Sequence, residues 1–276
     1  MISKRHITTL ASILCLLIFL SAACSALPSG NSSSFREWQL AELATALPNL
    51  SLEEHAYDIA VSDIDGRFAL KSGKSYGEIM AKREAEREKP AQIPGTTLIN
   101  GEELSLEFGQ SGNQGTVTVM QAGKAIYTGS YGEISPVQPV GGLWVVGGNW
   151  VLELVQTSSK TEGNTTELLS LGDIIINGKS MNATQGYEES FGFQTLSGKP
   201  FYFYQKNGLV GFFYDGEHVQ TGYTRVSHYL CCSAAALNPR PFQNMVAFYA
   251  ERGHEFYYVE LGNFTASPAA EDPSAK

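Results

Sequence analysis

The sequence is short of cysteine, of positive charge and of long apolar runs, and each shortage removes a class of protein. Four cysteines in 276 residues are too few for a scaffold stapled by disulfides, and a chain of this length builds a core without them. Lys and Arg number 19 against 28 Asp and Glu, a formal charge of −9, and no basic run stands out. A nucleic-acid partner would require the opposite balance, because phosphates are held by Lys and Arg. The apolar run at 10–20 is short for a membrane span, which needs about 20 residues. Gly141-Gly142 and Gly147-Gly148 flank a strand-like run and open no helix, which argues against a phosphate loop. What the chain does have is 43% hydrophobic residues, 11% aromatics and 28 glycines. That composition excludes disorder for most of its length and predicts a sheet-rich interior with many tight turns.

Lys4, Arg5 and His6 precede the apolar run, which ends in Ser21-Ala22-Ala23 and then Cys24. A positive start, an apolar centre and small residues at the cut are the parts of an export signal. Leu20-Ser21-Ala22-Ala23-Cys24 resembles the lipobox of bacterial lipoproteins, with Leu20 one residue further back than the usual leucine. The resemblance implies cleavage before Cys24 and a diacylglycerol on its thiol. Residues 25–34, SALPSGNSSS, are small and polar with no periodicity, as in a flexible spacer. An ordinary signal peptide or an uncleaved anchor is the alternative.

In the body of the chain, Phe35, Trp38, Leu40, Leu43 and Leu47 fall near helical spacing before Pro48, which predicts a short amphipathic helix over 35–47. A second helix is predicted over 76–89, rich in Lys, Arg and Glu and stopped by Pro90. Nearly everything else predicts strand: 117–120, 143–146, 150–155, 201–204, 210–214, 245–249 and 256–261 are short β-branched and aromatic runs. Asp65-Gly66, Asn100-Gly101, Asn177-Gly178, Asn207-Gly208 and Asp215-Gly216 are hairpin signals, because both positions tolerate positive φ. Ser75-Tyr76-Gly77-Glu78-Ile79 recurs as Ser130-Tyr131-Gly132-Glu133-Ile134, with looser copies at 186–190 and 222–226. Paired apolar strands around a Gly turn recur at 199–217 and 244–261, with a degenerate form at 143–154. This pattern resembles the blades of bacterial WD40-like or TolB-like β-propellers. At about 40–45 residues per blade the chain holds about four to five.

Candidate chemistry is sparse. With the signal and Cys24 set aside, Cys231 and Cys232 are the remaining thiols, candidates for a vicinal disulfide in an oxidising compartment or for plain burial. His228 precedes them, and Arg240 follows in Asn238-Pro239-Arg240-Pro241; His228 and Arg240 are candidates for a ligand pocket. A metal site at His-x-x-Cys-Cys is disfavoured, because adjacent residues of an extended chain point to opposite faces and zinc takes four ligands. Glu53-Glu54, Glu102-Glu103, Glu188-Glu189 and Asp63/Asp65 are carboxylate pairs, the residue type glycoside cleavage needs at about 5–10 Å. Turn and surface roles fit them better. The dense aromatics of the C-terminal half predict core, with some free to line a groove for sugars or peptides.

The sequence therefore reads as all-β: antiparallel β-repeats in a small or incomplete β-propeller, with short N-terminal helices. Residues 1–23 are a lipoprotein signal peptide, 24–34 a lipid-anchored tether, 35–264 the repeat domain and 265–276 a disordered tail. The expected role is a non-catalytic binding or scaffolding module, anchored by lipid in the cell membrane or outer membrane and facing the extracytoplasmic side. Its expected partners are the membrane and an envelope protein or glycan, with no nucleic acid, cofactor or metal. The alternatives are an envelope hydrolase using carboxylates at the propeller mouth, and a thiol-based sensor using Cys231 and Cys232.

Overall fold

A computed structural model describes residues 36–57, 97–133, 138–163, 165–229, 238–242 and 244–264. The elements below belong to one compact unit, Glu37–Lys276. It is mostly strand, in curled antiparallel sheets that include a half-barrel.

The chain enters as β1 (Glu37–Gln39), a 3₁₀ turn at Leu40–Glu42 and the short helix α1 (Leu43–Ala46), followed by β2 (Ser51–Tyr57). The helix predicted over 35–47 is thus strand at Glu37–Gln39 and helical only over Leu40–Ala46. β1 pairs in parallel with a strand of the C-terminal half, Trp38 opposite Val219, and Trp38 Nε1 donates to Glu217 Oε2 at 2.7 Å. A ready sheet edge outweighs weak helix propensity here. Leu43 and Leu47 do bury one face, as their spacing requires.

The first sheet takes β3 (Thr97–Ile99), β4 (Glu102–Ser111), β5 (Gln114–Gln121), β6 (Lys124–Glu133), β7 (Val140–Val146), β8 (Asn149–Glu162), β9 (Thr165–Ile176) and β10 (Lys179–Ser180). Its order is β10-β9-β8-β6-β5-β4-β3, with β7 on β8. Helix α2 (Met181–Gln185) is capped by Ser180, whose Oγ accepts from Ala183 N, and ends at Gly186. The second sheet follows as β11 (Glu189–Leu196), β12 (Lys199–Lys206), β13 (Leu209–Tyr214) and β14 (Glu217–Tyr223), with β1 on the outer side of β14. The third holds β15 (Arg225–Val226), β16 (Arg240–Pro241), β17 (Met245–Arg252) and β18 (Glu255–Gly262), with β2 on β18.

The predicted strands all lie within these elements. Asn207-Gly208 and Asp215-Gly216 close the β12–β13 and β13–β14 hairpins with φ of 53°, 70°, 49° and 93°, the left-handed pair of a type I′ turn. The tyrosine repeat, by contrast, marks no single position. Tyr131 lies within β6, Tyr187 follows α2 and Tyr223 ends β14, and they pack in different surroundings. The helix predicted over 76–89, the first repeat copy and the tail at 265–276 lie outside the described residues.

Two cores result. Leu104, Val117, Val119, Leu143, Leu152, Leu154 and Ile175 pack together from the first sheet alone, which requires that sheet to curl onto itself. The other lies between the second and third sheets: Phe191, Phe201, Phe203 and Phe212 meet Val246, Phe248, Val259 and Leu261. Each fully buried side chain of this size stabilises by about 1.5–3 kcal/mol.

On the opposite face of the second sheet, His218 lies among the rings of Tyr187, Tyr204 and Phe213. Burial, reinforced by the charge of Lys206, lowers its pKa from 6.5 to about 4. Below 6.5 the unfolded chain gains a proton that the fold excludes, so the stability His218 contributes is whole above that pH and is lost toward 4. Urea titrations should show His218→Gln gaining on the parent protein as pH falls from 7 to 4. A constant difference between the two would contradict this.

Candidate functional site

β9 of the first sheet has a partly open edge, since β10 covers only Ile175 and Ile176. Two of its N–H groups are met by side chains of β11. Gly172 N donates to Glu189 Oε1 at 2.7 Å and Ile174 N to Ser190 Oγ at 2.8 Å. Buried backbone donors need such partners, and these two bonds seam the first sheet to the second.

β11 then bulges, its register on β12 shifting between Phe191 and Gln194. Gly192 sits there with φ of 66°, and a Cβ on it would lie 2.8 Å from Pro239 Cγ. A bulge turns backbone groups away from the ladder, and here they turn toward β8. Gly192 N and Phe193 N donate to the two oxygens of Glu153 at 3.0 and 2.8 Å, and Tyr229 Oη donates to the same carboxylate. Glu153 is only 4% exposed. Burial raises its pKa, outweighing the hydrogen bonds from Tyr229, Gly192 and Phe193 and the charge of His228, which all pull it down. Tyr229, buried beside that carboxylate, is pushed well above the usual phenol range.

The third sheet joins through His228, just after β15. Its ring lies flat on Phe191, centroids 3.5 Å apart and planes 4° apart. Nδ1 faces Val226 O at 2.6 Å and Nε2 faces Glu189 Oε1 at 2.8 Å. A carbonyl only accepts, so Nδ1 donates to Val226 O and Nε2 is left facing the Glu189 carboxylate. Asn238, before β16, is equally committed: its amide donates to Ser227 O and Tyr249 O and accepts from Tyr249 N.

Where the three sheets meet, these groups line a cavity of about 280 Å³. Trp144 of β7 and Phe193 of β11 form one wall, ring centroids 4.9 Å apart, and Pro239 and Pro241 form another. Glu153, His228, Tyr229 and Asn238 reach it with their polar atoms already bonded within the fold. Gln194 differs. It is among the residues around the cavity, but its amide atoms are fully buried, and among the described residues neither Oε1 nor Nε2 has a hydrogen-bond partner. Buried amides are rarely left so, because each unpaired atom costs about 1–3 kcal/mol.

Of the residues singled out in the sequence, His228 lines this cavity and Arg240 does not. Arg240 lies between Pro239 and Pro241, and strand alternation turns it to the other face. There it is buried in register with Ala247, which pairs in turn with Glu260. Its charge is felt at Tyr258. Cys24, Cys231 and Cys232 lie outside the described residues, as do Asp63 and Asp65. Glu189 is taken by Gly172 and His228, while Glu188 faces Gly208 N. Glu54 pairs with Arg252 at 2.5 Å, and Glu102 accepts from Gln121. Among the described residues no group of His, Cys, Asp and Glu is arranged to hold a metal, and no helix is long and apolar enough to cross a membrane. Glu153, Gln194 and Tyr229 escape sequence reasoning. One signal was available: Glu153 is a lone carboxylate inside the apolar run Trp150-Val151-Leu152-Glu153-Leu154-Val155. No protein family, curated protein or solved structure matches the chain.

Proposed function

We propose that this chain is a non-catalytic binding module of the cell envelope, and that the cavity between its sheets is where it binds. The observation that carries this reading is the state of the polar groups there. General acid–base catalysis needs a side chain free to exchange a proton with a substrate. Glu153, His228 and Tyr229 instead hold the sheets together. The same proposal removes 1–23, places lipid on Cys24 and presents the domain on the 24–34 tether at the extracytoplasmic side of the cell membrane or outer membrane. It takes the curled sheets as units of a small or incompletely closed propeller of about four to five blades, a reading supported by the runs of consecutive strands that build each sheet.

The hydrolase reading has one observation in its favour, the raised pKa of Glu153 in a cavity wall, a feature that acid catalysts share. Two measurements decide. Expressed in a bacterium, the full chain should be processed before residue 24 and recovered with membranes, and Cys24→Ser should lose both properties; unchanged processing and recovery would refute the anchor. Incubated with cell-wall glycan and peptide, the protein should release no product. Turnover abolished by Glu153→Gln would replace the binding reading with a hydrolase.

A further inference from the structure

We propose that the chain pairs with a second copy of itself along the open edge of β9, antiparallel about a two-fold axis at Leu168. This interface is separate from the cavity and does not depend on what the cavity binds. Its basis is the direction of the backbone groups. Gly172 N and Ile174 N point away from β8, toward Glu189 and Ser190. The register of β9 on β8 runs without a shift from Thr165 to Ile176. Alternation along an antiparallel strand therefore turns the N–H and C=O of Thr166, Leu168 and Ser170 the same way. Gly172 is closed on that side, since its carbonyl also accepts from Asn182 Nδ2 at 2.8 Å, and β10 covers Ile175 and Ile176. Among the described residues no strand pairs with 166, 168 and 170 on their outward side.

The side chains mark the same stretch. Of the six large apolar side chains exposed among the described residues, Leu168, Leu169 and Leu171 are three, at 43%, 38% and 50%. Edge strands are commonly guarded by Lys, Pro or a bulge. Residues 165–171 hold no Lys, Arg or Pro, and their register on β8 has no bulge. A second copy is the occupant that the register fits. A partner centred on Leu168 sets 166 opposite 170 and 168 opposite itself, and each opposed pair exchanges two hydrogen bonds. Every outward backbone group of the stretch is then used, and Leu168 meets Leu168 on one face of the joined sheet. An axis at 167 would set the one acid of 165–171 opposite its own copy, which is unfavourable. An axis at 169 would call on Gly172, whose N–H and C=O are already taken. With the axis at Leu168, residue 167 falls opposite Leu169.

The test compares Leu168→Cys with Leu171→Cys in the full chain in detergent, left to oxidise in air. Opposed Cα atoms of a hydrogen-bonded pair are about 5.5 Å apart, within the span of a disulfide. Residue 171 would face 165 of the other copy, so the two copies of 171 lie six residues apart along the pair, about 20 Å. Leu168→Cys should therefore run as a covalent dimer on a non-reducing gel, with peptide mapping placing the bridge between the two 168 positions. Leu171→Cys should not. The native cysteines are common to both variants, so the difference between the two is the readout. Light scattering should give twice the chain mass for the parent protein and the single mass for Leu168→Lys, which sets like charges face to face. Leu168→Lys should keep the parent's circular dichroism, because Leu168 is exposed. A parent chain of single mass, a bridge at 171 as readily as at 168, or a folded Leu168→Lys that stays dimeric overturns the proposal. The cross-link comparison decides whether or not Leu168→Lys folds.

Discussion

Glu153→Ala is expected to destabilise the protein by about 3–5 kcal/mol, because three donors lose their acceptor at about 1–3 kcal/mol apiece. For a domain of this size that lowers Tm by roughly 10 °C. The effect is large because one carboxylate serves three donors. Gly192 N, Phe193 N and Tyr229 Oη all bond to it. Glu153→Gln keeps one acceptor and turns an NH₂ toward the others, so it should lose about half as much. Chemical denaturation of both variants beside Glu102→Ala, an exposed control, measures this. A Glu153→Ala protein within about 1 kcal/mol of the parent would show that the bulge needs no anchor. The pH dependence has a definite sign. Because burial raises the pKa of Glu153, its ionised form is the costly one. The stability it contributes is complete below its ordinary value of 4.5 and is lost as pH rises through the raised folded value. That limb runs opposite to the one set by His218.

Gly172→Ala should be comparably damaging for a different reason. A Cβ at Gly172 would come within 2.6 Å of Tyr229 Oη and 3.1 Å of Phe191 Cβ, and closer still to the carbonyl oxygen of Ser190. Backbone cannot swing aside as a flexible side chain can, so β9 and β11 must separate. Overpacking of this kind costs about 1–3 kcal/mol, and the bonds from Gly172 N and Ile174 N add about 1 kcal/mol each. Gly101→Ala is the comparison: its φ is 83°, but a Cβ there meets nothing within 4 Å. It should cost only the local strain of about 1–2 kcal/mol. Equal losses for the two variants in the same urea titration would refute the claim that close approach, rather than dihedral strain, sets the penalty at Gly172.

How much of this was legible depended on distance along the chain. Hairpins such as β12–β13 and β17–β18 were readable because their apolar runs and tight turns are local. β6 and β9 were not, since KAIYTGSYGE and TTELLSLGDIII mix polar and apolar residues on strands with an exposed face. The strand at Glu37–Gln39 looked helical because its partner, β14, lies far ahead in the sequence. The cavity was the least visible part. Residues 153, 172, 189–194, 228–229 and 238 meet only after three sheets have formed, and the local hints there were few: the sequence motifs at His228 and Glu189, and the lone carboxylate of Glu153 in an apolar run. Arg240 shared that hint and faces the other way, because a motif records adjacency and not the side of a strand.

The placement of β1 and β2 sets the order in which the molecule can be finished. Trp38 reaches Glu217, 179 residues later, and Ser51 reaches Gly262, 211 residues later. β1 therefore waits, unpaired, until β14 exists, and β2 until the last hairpin exists. Contacts this distant make folding slow, and the open edges of β14 and β18 are exposed to other chains in the interval. A chain interrupted before β18 would leave β2 without its partner and the third sheet unfinished.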